Sequence, residues 1–127
     1  MTLKEYKENS FLNIYNTNSN YINGYLITND GQVIKYHQDE TTLITKLPSA
    51  DLTAFKTYLI EEEKILDTEF PQPQTFNPSK IIKININGQK KDIINSSKEF
   101  THNSQEEIYD RIYQEIKDIV SLWGNNQ

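Results

Sequence analysis

Residues 103–124 read NSQEEIYDRIYQEIKDIVSLWG, and the arrangement of the whole chain follows from them. Ile108, Ile112, Ile116, Ile119 and Trp123 recur at helical spacing, and Tyr109, Tyr113 and Val120 widen the stripe. Glu107, Asp110, Gln114, Lys117, Asp118 and Ser121 take the opposite arc. Ser104 and Glu107 have capping-box spacing, in which hydroxyl and carboxylate each satisfy a free backbone N–H. Glu106, Glu107 and Asp110 place negative charge at the positive end of the helix dipole. Gly124 falls where a left-handed residue would close the helix. So wide an apolar face needs a surface to cover it, and the preceding chain must supply that surface.

Immediately upstream, 79–96 reads as a hairpin turning at Asn87-Gly88, the most favoured two-residue turn. Ile82, Ile84 and Ile86 alternate on one side, Ile93 joins them, and Ile81 and Ile94 point the other way. The stretch 70–78, rich in Gln and Pro, reads as an extended connector. Before it, Pro48-Ser49 opens a second helix with Ser49 as N-cap, and Leu52, Phe55, Tyr58, Leu59, Ile65 and Leu66 share one arc. Phe70-Pro71 ends that helix.

Residues 21–37 form another hairpin, with a two-residue turn at Asp30-Gly31. That turn sets Thr28 against Val33, Ile27 against Ile34, Leu26 against Lys35 and Tyr25 against Tyr36. Tyr25, Ile27, Ile34 and Tyr36 then share one side, and Leu26, Thr28, Val33 and Lys35 the other. Residues 41–47 add a strand or an extended arm. The first 20 residues are the least determined. They hold a short helical turn at 2–8, a strand at 11–15 with Phe11, Asn13 and Tyr15 on one side, and a polar loop at 16–20.

These readings predict one α+β domain over 1–127. It has an antiparallel sheet of four to five strands built from two hairpins, with two helices packed on one face. Residues 21–70 and 79–124 each run hairpin then helix, which fits either a ββα pseudo-repeat or two unrelated amphipathic units.

Composition narrows the function classes. The chain carries 18 Asp and Glu against 13 Lys and Arg, a net charge of −5, which disfavours nucleic acid as a partner. There is no cysteine, so disulfides, Cys-ligated zinc and thiol catalysis are excluded. No segment has the length and apolarity of a membrane span or a signal peptide, so the expectation is a cytoplasmic protein; a mature secreted form would read the same.

The candidates for chemistry are few. His37-Gln38-Asp39-Glu40 gathers three potential metal ligands, but zinc sites draw ligands from separate elements, so a solvated strand end is expected. His102 lies in a polar loop. Glu62, in 61-EEE-63, falls among Phe55, Leu59 and Leu66 on the apolar arc, where burial would raise its pKa as in a general acid. No second carboxylate is placed to complete a catalytic pair, and a bend or fray in the helix is the simpler expectation. Ser96-Ser97 has no nucleophile-elbow context, and the sequon at Asn95 carries no weight by itself. We therefore expect no catalytic, cofactor or metal residues.

The side of the sheet facing away from the helices would carry Leu26, Val33, Lys35, Ile81 and Ile94, an aliphatic area suited to a partner. Tyr15 and Tyr21, in or near the irregular N-terminal third, could join it, since a tyrosine offers an apolar body with a polar tip. The leading expectation is a non-enzymatic protein-binding module of the inhibitor or immunity type. The alternatives are a small-ligand or hydrolytic domain with a pocket between sheet and helices, and a homodimer through the free face.

Overall fold

The computed structural model describes residues 1–17, 21–69, 78–96 and 104–124. The chain runs α1 (Leu3–Glu8), β1 (Ser10–Thr17), β2 (Ile22–Thr28), β3 (Gln32–His37), β4 (Glu40–Lys46), α2 (Ser49–Thr57), β5 (Pro78–Ile86), β6 (Gln89–Ser96) and α3 (Ser104–Ile119). A π-helical turn extends each long helix: Tyr58–Glu62 after α2 and Val120–Gly124 after α3. The strands form one open sheet in the order β4-β3-β2-β1-β5-β6, with every neighbouring pair antiparallel. The α+β class is as expected, but the sheet has six strands rather than four to five. The two additional strands are those read as a strand at 11–15 and an arm at 41–47.

β1 is a central strand, paired with β2 on one side and β5 on the other. Its residues Phe11, Leu12, Asn13 and Ile14 are all buried, as suits a strand flanked on both edges in the middle of the sheet. On one face, Leu12, Ile14, Tyr25, Ile27, Val33, Ile82, Ile84, Ile86 and Ile93 meet Phe55 and Leu59 from the α2 side and Ile108, Tyr109, Ile112 and Ile116 of α3. Burying a side chain of this size stabilises by roughly 1.5–3 kcal/mol, so this shared core dominates the fold. On the other face, α1 sets Leu3 and Tyr6 over Leu26, Ile34 and Tyr36. The short helix is held by a capping box in which Thr2 accepts from the Glu5 N–H (3.2 Å) and Glu5 accepts from the Thr2 N–H (3.1 Å).

The first hairpin departs from expectation by one residue. Its loop is Asn29-Asp30-Gly31, not Asp30-Gly31. The Gly31 N–H donates to the Thr28 carbonyl (3.0 Å), and only Gly31 in this loop has a positive φ (98°), as in a type I turn followed by a left-handed residue. The Thr28 hydroxyl holds the loop by donating to Asp30 and accepting from the Gln32 N–H. Ile27 therefore pairs with Val33, Leu26 with Ile34, Tyr25 with Lys35 and Gly24 with Tyr36. A one-residue slip exchanges faces: Val33 and Lys35 join the α2–α3 side, and Ile34 and Tyr36 lie under α1. A bulge between Ser10 and Leu12 likewise turns Phe11 toward the α2 side, where its ring meets Phe55 edge-on at 6.4 Å. The second hairpin keeps its expected register, with Ile82 opposite Ile93 and Ile81 opposite Ile94. Asn87 and Gly88 both adopt positive φ, as a type I′ turn requires.

α2 begins at Ser49 with Pro48 as its cap, one residue before the expected N-cap. It reaches 62 through its π turn rather than 70. The Glu63 N–H bonds the Tyr58 carbonyl five residues back (3.1 Å), and the Ile65 N–H bonds Leu59 (3.1 Å) with Lys64 left-handed at φ 54°. The connector 70–77, the loop 97–103 with His102, the polar run 18–20 and the side chains of Ser104 and Trp123 lie outside the described residues.

Candidate functional site

The seven residues nominated for a partner surface do not form one patch. Val33 is fully buried in the main core and Leu26 is fully buried beneath α1, so neither is available to a partner. Lys35 is exposed on the helix side, and Tyr21 stacks beside His37 at 6.4 Å on the same end of the sheet. Tyr15, Ile81 and Ile94 do come together. They form one cross-strand row on the face opposite α2 and α3, Tyr15 opposite Ile81 and Ile81 opposite Ile94.

Ile81 is itself buried, so Tyr15 and Ile94, both half-buried, are the members of that row that reach the surface of the far face. α1 covers β2 and β3; β1, β5 and β6 continue beyond it. Between α1 and the β5–β6 hairpin runs a groove of about 580 Å³, lined by Lys7, Asn13, Tyr15, Lys83, Lys90 and Asp92 among others. Asn13 is buried and accepts a hydrogen bond from the Tyr36 hydroxyl at 2.7 Å, so the floor of the groove is rigid and satisfied. Burial, reinforced by Asp92, pushes the Tyr15 phenol above its ordinary pKa, so it remains a neutral donor. Lys7 lies over the Tyr36 ring at 5.7 Å and gives the groove one wall.

A second recess lies elsewhere. A cleft of about 660 Å³ opens between α3 and one end of the sheet, with Lys35, His37, Lys80, Tyr109, Tyr113 and Lys117 among its lining. Tyr109 and Tyr113 lie nearly parallel (10°) at 5.9 Å, because an i, i+4 pair shares one flank of α3. Tyr25 meets Tyr113 edge-on at 5.9 Å. Lys80 lies near the Tyr109 ring at 5.5 Å and Lys117 near the Tyr113 ring at 5.9 Å. Lys80 also approaches Glu106 and Asp110, each at 3.7 Å. Burial pushes the Tyr109 phenol well above its ordinary pKa, with Tyr113 and Asp110 adding to the shift. Sequence patterning did not reveal this cleft: its lysines sit on three separate elements and share no spacing.

The carboxylate expected at Glu62 is displaced by one position. Glu62 is exposed and Glu63 is buried. The π turn adds residues to the turn and rotates Glu63 onto the arc that a regular helix would give to Glu62. Glu63 is not poised as an acid. Arg111 donates to it through Nε (2.9 Å to Oε2) and through its terminal nitrogen (2.7 Å to Oε1), and Tyr58 donates its hydroxyl. Burial pushes the Glu63 carboxyl up, but the Arg111 and Tyr58 hydrogen bonds together outweigh it and hold the pKa below the ordinary value.

His37, Asp39 and Glu40 are all exposed at the β3–β4 turn, and His37 Nδ1 contacts the Asn23 amide oxygen. Among the described residues no three His, Asp or Glu gather as metal ligands would. Among the described residues, too, no helix is long and apolar enough to cross a membrane. Comparison of the chain with protein-family models, with curated proteins and with solved structures finds no match.

Proposed function

We propose that this chain is a non-enzymatic protein-binding module of the inhibitor or immunity type, acting in the cytoplasm, and that it docks through the open half of the far sheet face. The observation that carries the reading is half-buried Tyr15 and Ile94, set either side of buried Ile81, beside a groove bearing Lys7, Lys83, Lys90 and Asp92. An apolar strip rimmed by charges of both signs is the composition of a protein interface. The state of the titratable groups supports the same reading. Glu63 is paired with Arg111 and accepts the Tyr58 hydroxyl, so its carboxylate is held ionised rather than poised as an acid.

The test uses the whole chain immobilised as wild type, as Tyr15→Ala and as Ile94→Glu, and exposed to an extract of the source cells. Ile94 is half-buried on the edge strand β6, so a carboxylate there can reach water. A protein retained by the wild type and lost by both variants, with both variants folded at the assay temperature, is the expected result. Equal retention by all three would overturn the reading. The homodimer alternative uses the same row and predicts a mass that falls on dilution and in Ile94→Glu.

A further inference from the structure

The cleft between α3 and the end of the sheet has a chemistry that the protein-binding reading does not use. We propose that it binds a small phosphorylated molecule, whose phosphate is held by Lys35 and Lys117. Lys35 projects from β3 on the helix side, as the cross-strand neighbour of Tyr25. Lys117 stands one helical turn beyond Tyr113. Among the described residues neither ammonium has a carboxylate within ion-pair distance. Glu106 and Asp110 both approach Lys80, Asp110 from the lining of the cleft, so the acidic groups gather at Lys80 rather than at Lys35 or Lys117. A protein of net charge −5 thus presents, among its described residues, two lysines without an ion-pair partner in one cleft.

The recess selects among anions. At about 660 Å³ it is far larger than a bare ion and falls within the range of cavities that hold small organic ligands. Lysine is a compact point charge with several donor directions, so two lysines can share the several oxygens and higher charge of one phosphate group. The Tyr109 and Tyr113 rings already carry Lys80 and Lys117, so the ligand body meets ammonium groups and phenol edges rather than bare ring faces. That favours a hydroxyl-rich body such as a sugar phosphate over a stacked aromatic base. The site is independent of the far-face groove, because Lys35, Lys80 and Lys117 lie on the α3 side of the sheet.

The probes are fructose 1,6-bisphosphate and inorganic pyrophosphate, titrated by calorimetry into the full-length chain at low salt. Saturable binding by the sugar phosphate is expected, weakening as salt is raised. The Lys35→Gln, Lys117→Gln double variant should weaken it about tenfold or more, since charge-assisted bonds to phosphate are the strong ones. The matched control, Lys83→Gln with Lys90→Gln in the far groove, should leave it unchanged. A further arm offers phosphatidylcholine vesicles containing phosphatidic acid: chain that stays soluble assigns the site to a free ligand, and sedimentation lost only in the Lys35, Lys117 variant assigns it to a lipid phosphate. No saturable binding by any probe, or equal weakening in both double variants, would overturn the proposal. Tyr15→Ala and Ile94→Glu should not affect it, so its failure is distinguishable from failure of the docking face.

Discussion

Gly24 shows how much one missing atom can decide. It lies between Tyr15 and Tyr36 on the far face, and a Cβ there would stand 2.5 Å from the Ile14 carbonyl oxygen, 2.6 Å from the Tyr15 Cβ and 2.9 Å from the Tyr36 oxygen. Its backbone is not left-handed, so the requirement is for space rather than for conformation. Gly24→Ala should destabilise by about 1–3 kcal/mol, the usual cost of overpacking, read as a lower urea midpoint. Lys64 presents the opposite case. Its φ of 54° closes the end of the π turn with a residue that must tolerate a left-handed backbone. Lys64 is exposed, so Lys64→Gly removes strain and no packing. The expected gain is about 0.5–1 kcal/mol, and a lower thermal midpoint would contradict it. Neither residue was legible beforehand, because both demands are set by neighbours distant in sequence or by a change of helical pitch.

At the scale of elements, Arg111 and Glu63 tie the end of α2 to the middle of α3. The bidentate pair spans two helices that share the main core but have no direct sequence link. Removing Arg111 leaves a buried carboxylate facing only Tyr58. Arg111→Met should therefore cost about 2 kcal/mol, near the value of a hydrogen bond to a charged group. It should cost more than Glu63→Gln, which leaves unpaired only the half-exposed Arg111 guanidinium that water can solvate. A double-mutant cycle reads the coupling directly. α1 is the second element whose role only contacts reveal. Its Tyr6 packs on Leu26, Ile34 and Tyr36, and Tyr6→Ala should cost about 1–2 kcal/mol for a half-buried ring. From sequence the helical turn was legible, as was the alternation in β1, but not that α1 would close half of the far face. A six-residue helix has too few side chains to declare which surface it covers.

Across the whole molecule, the response to acid follows from the sign of each shift. The folded-state pKa of Glu63 is lowered, so its contribution is fully present above the ordinary Glu value of about 4.3 and is lost as pH falls through the lower folded value. Asp30, held down chiefly by the Thr28 hydroxyl, behaves the same way below about 3.9. Glu115 has the opposite sign: burial, then repulsion from Asp118, Glu62 and Glu63, raises its pKa, so its charge weakens the fold near neutrality. Urea midpoints across pH should hold level from 7 to about 5 and fall below about 4, with a shallower fall in Arg111→Met. Glu115→Gln should raise the midpoint at pH 7 and change it little at low pH. The chain by itself determined the two hairpins and the apolar stripe of α3, because those depend on spacing along one strand or one helix. It also determined the faces of β5 and β6, because Asn87-Gly88 admits one turn geometry. Only the tertiary structure decided the faces of β2 and β3, the carboxylate that is buried and the placing of Lys35 and Lys117 on one cleft. A single added loop residue inverts a strand, a widened turn rotates a helix, and residues from distant elements become neighbours only when the sheet closes against α3.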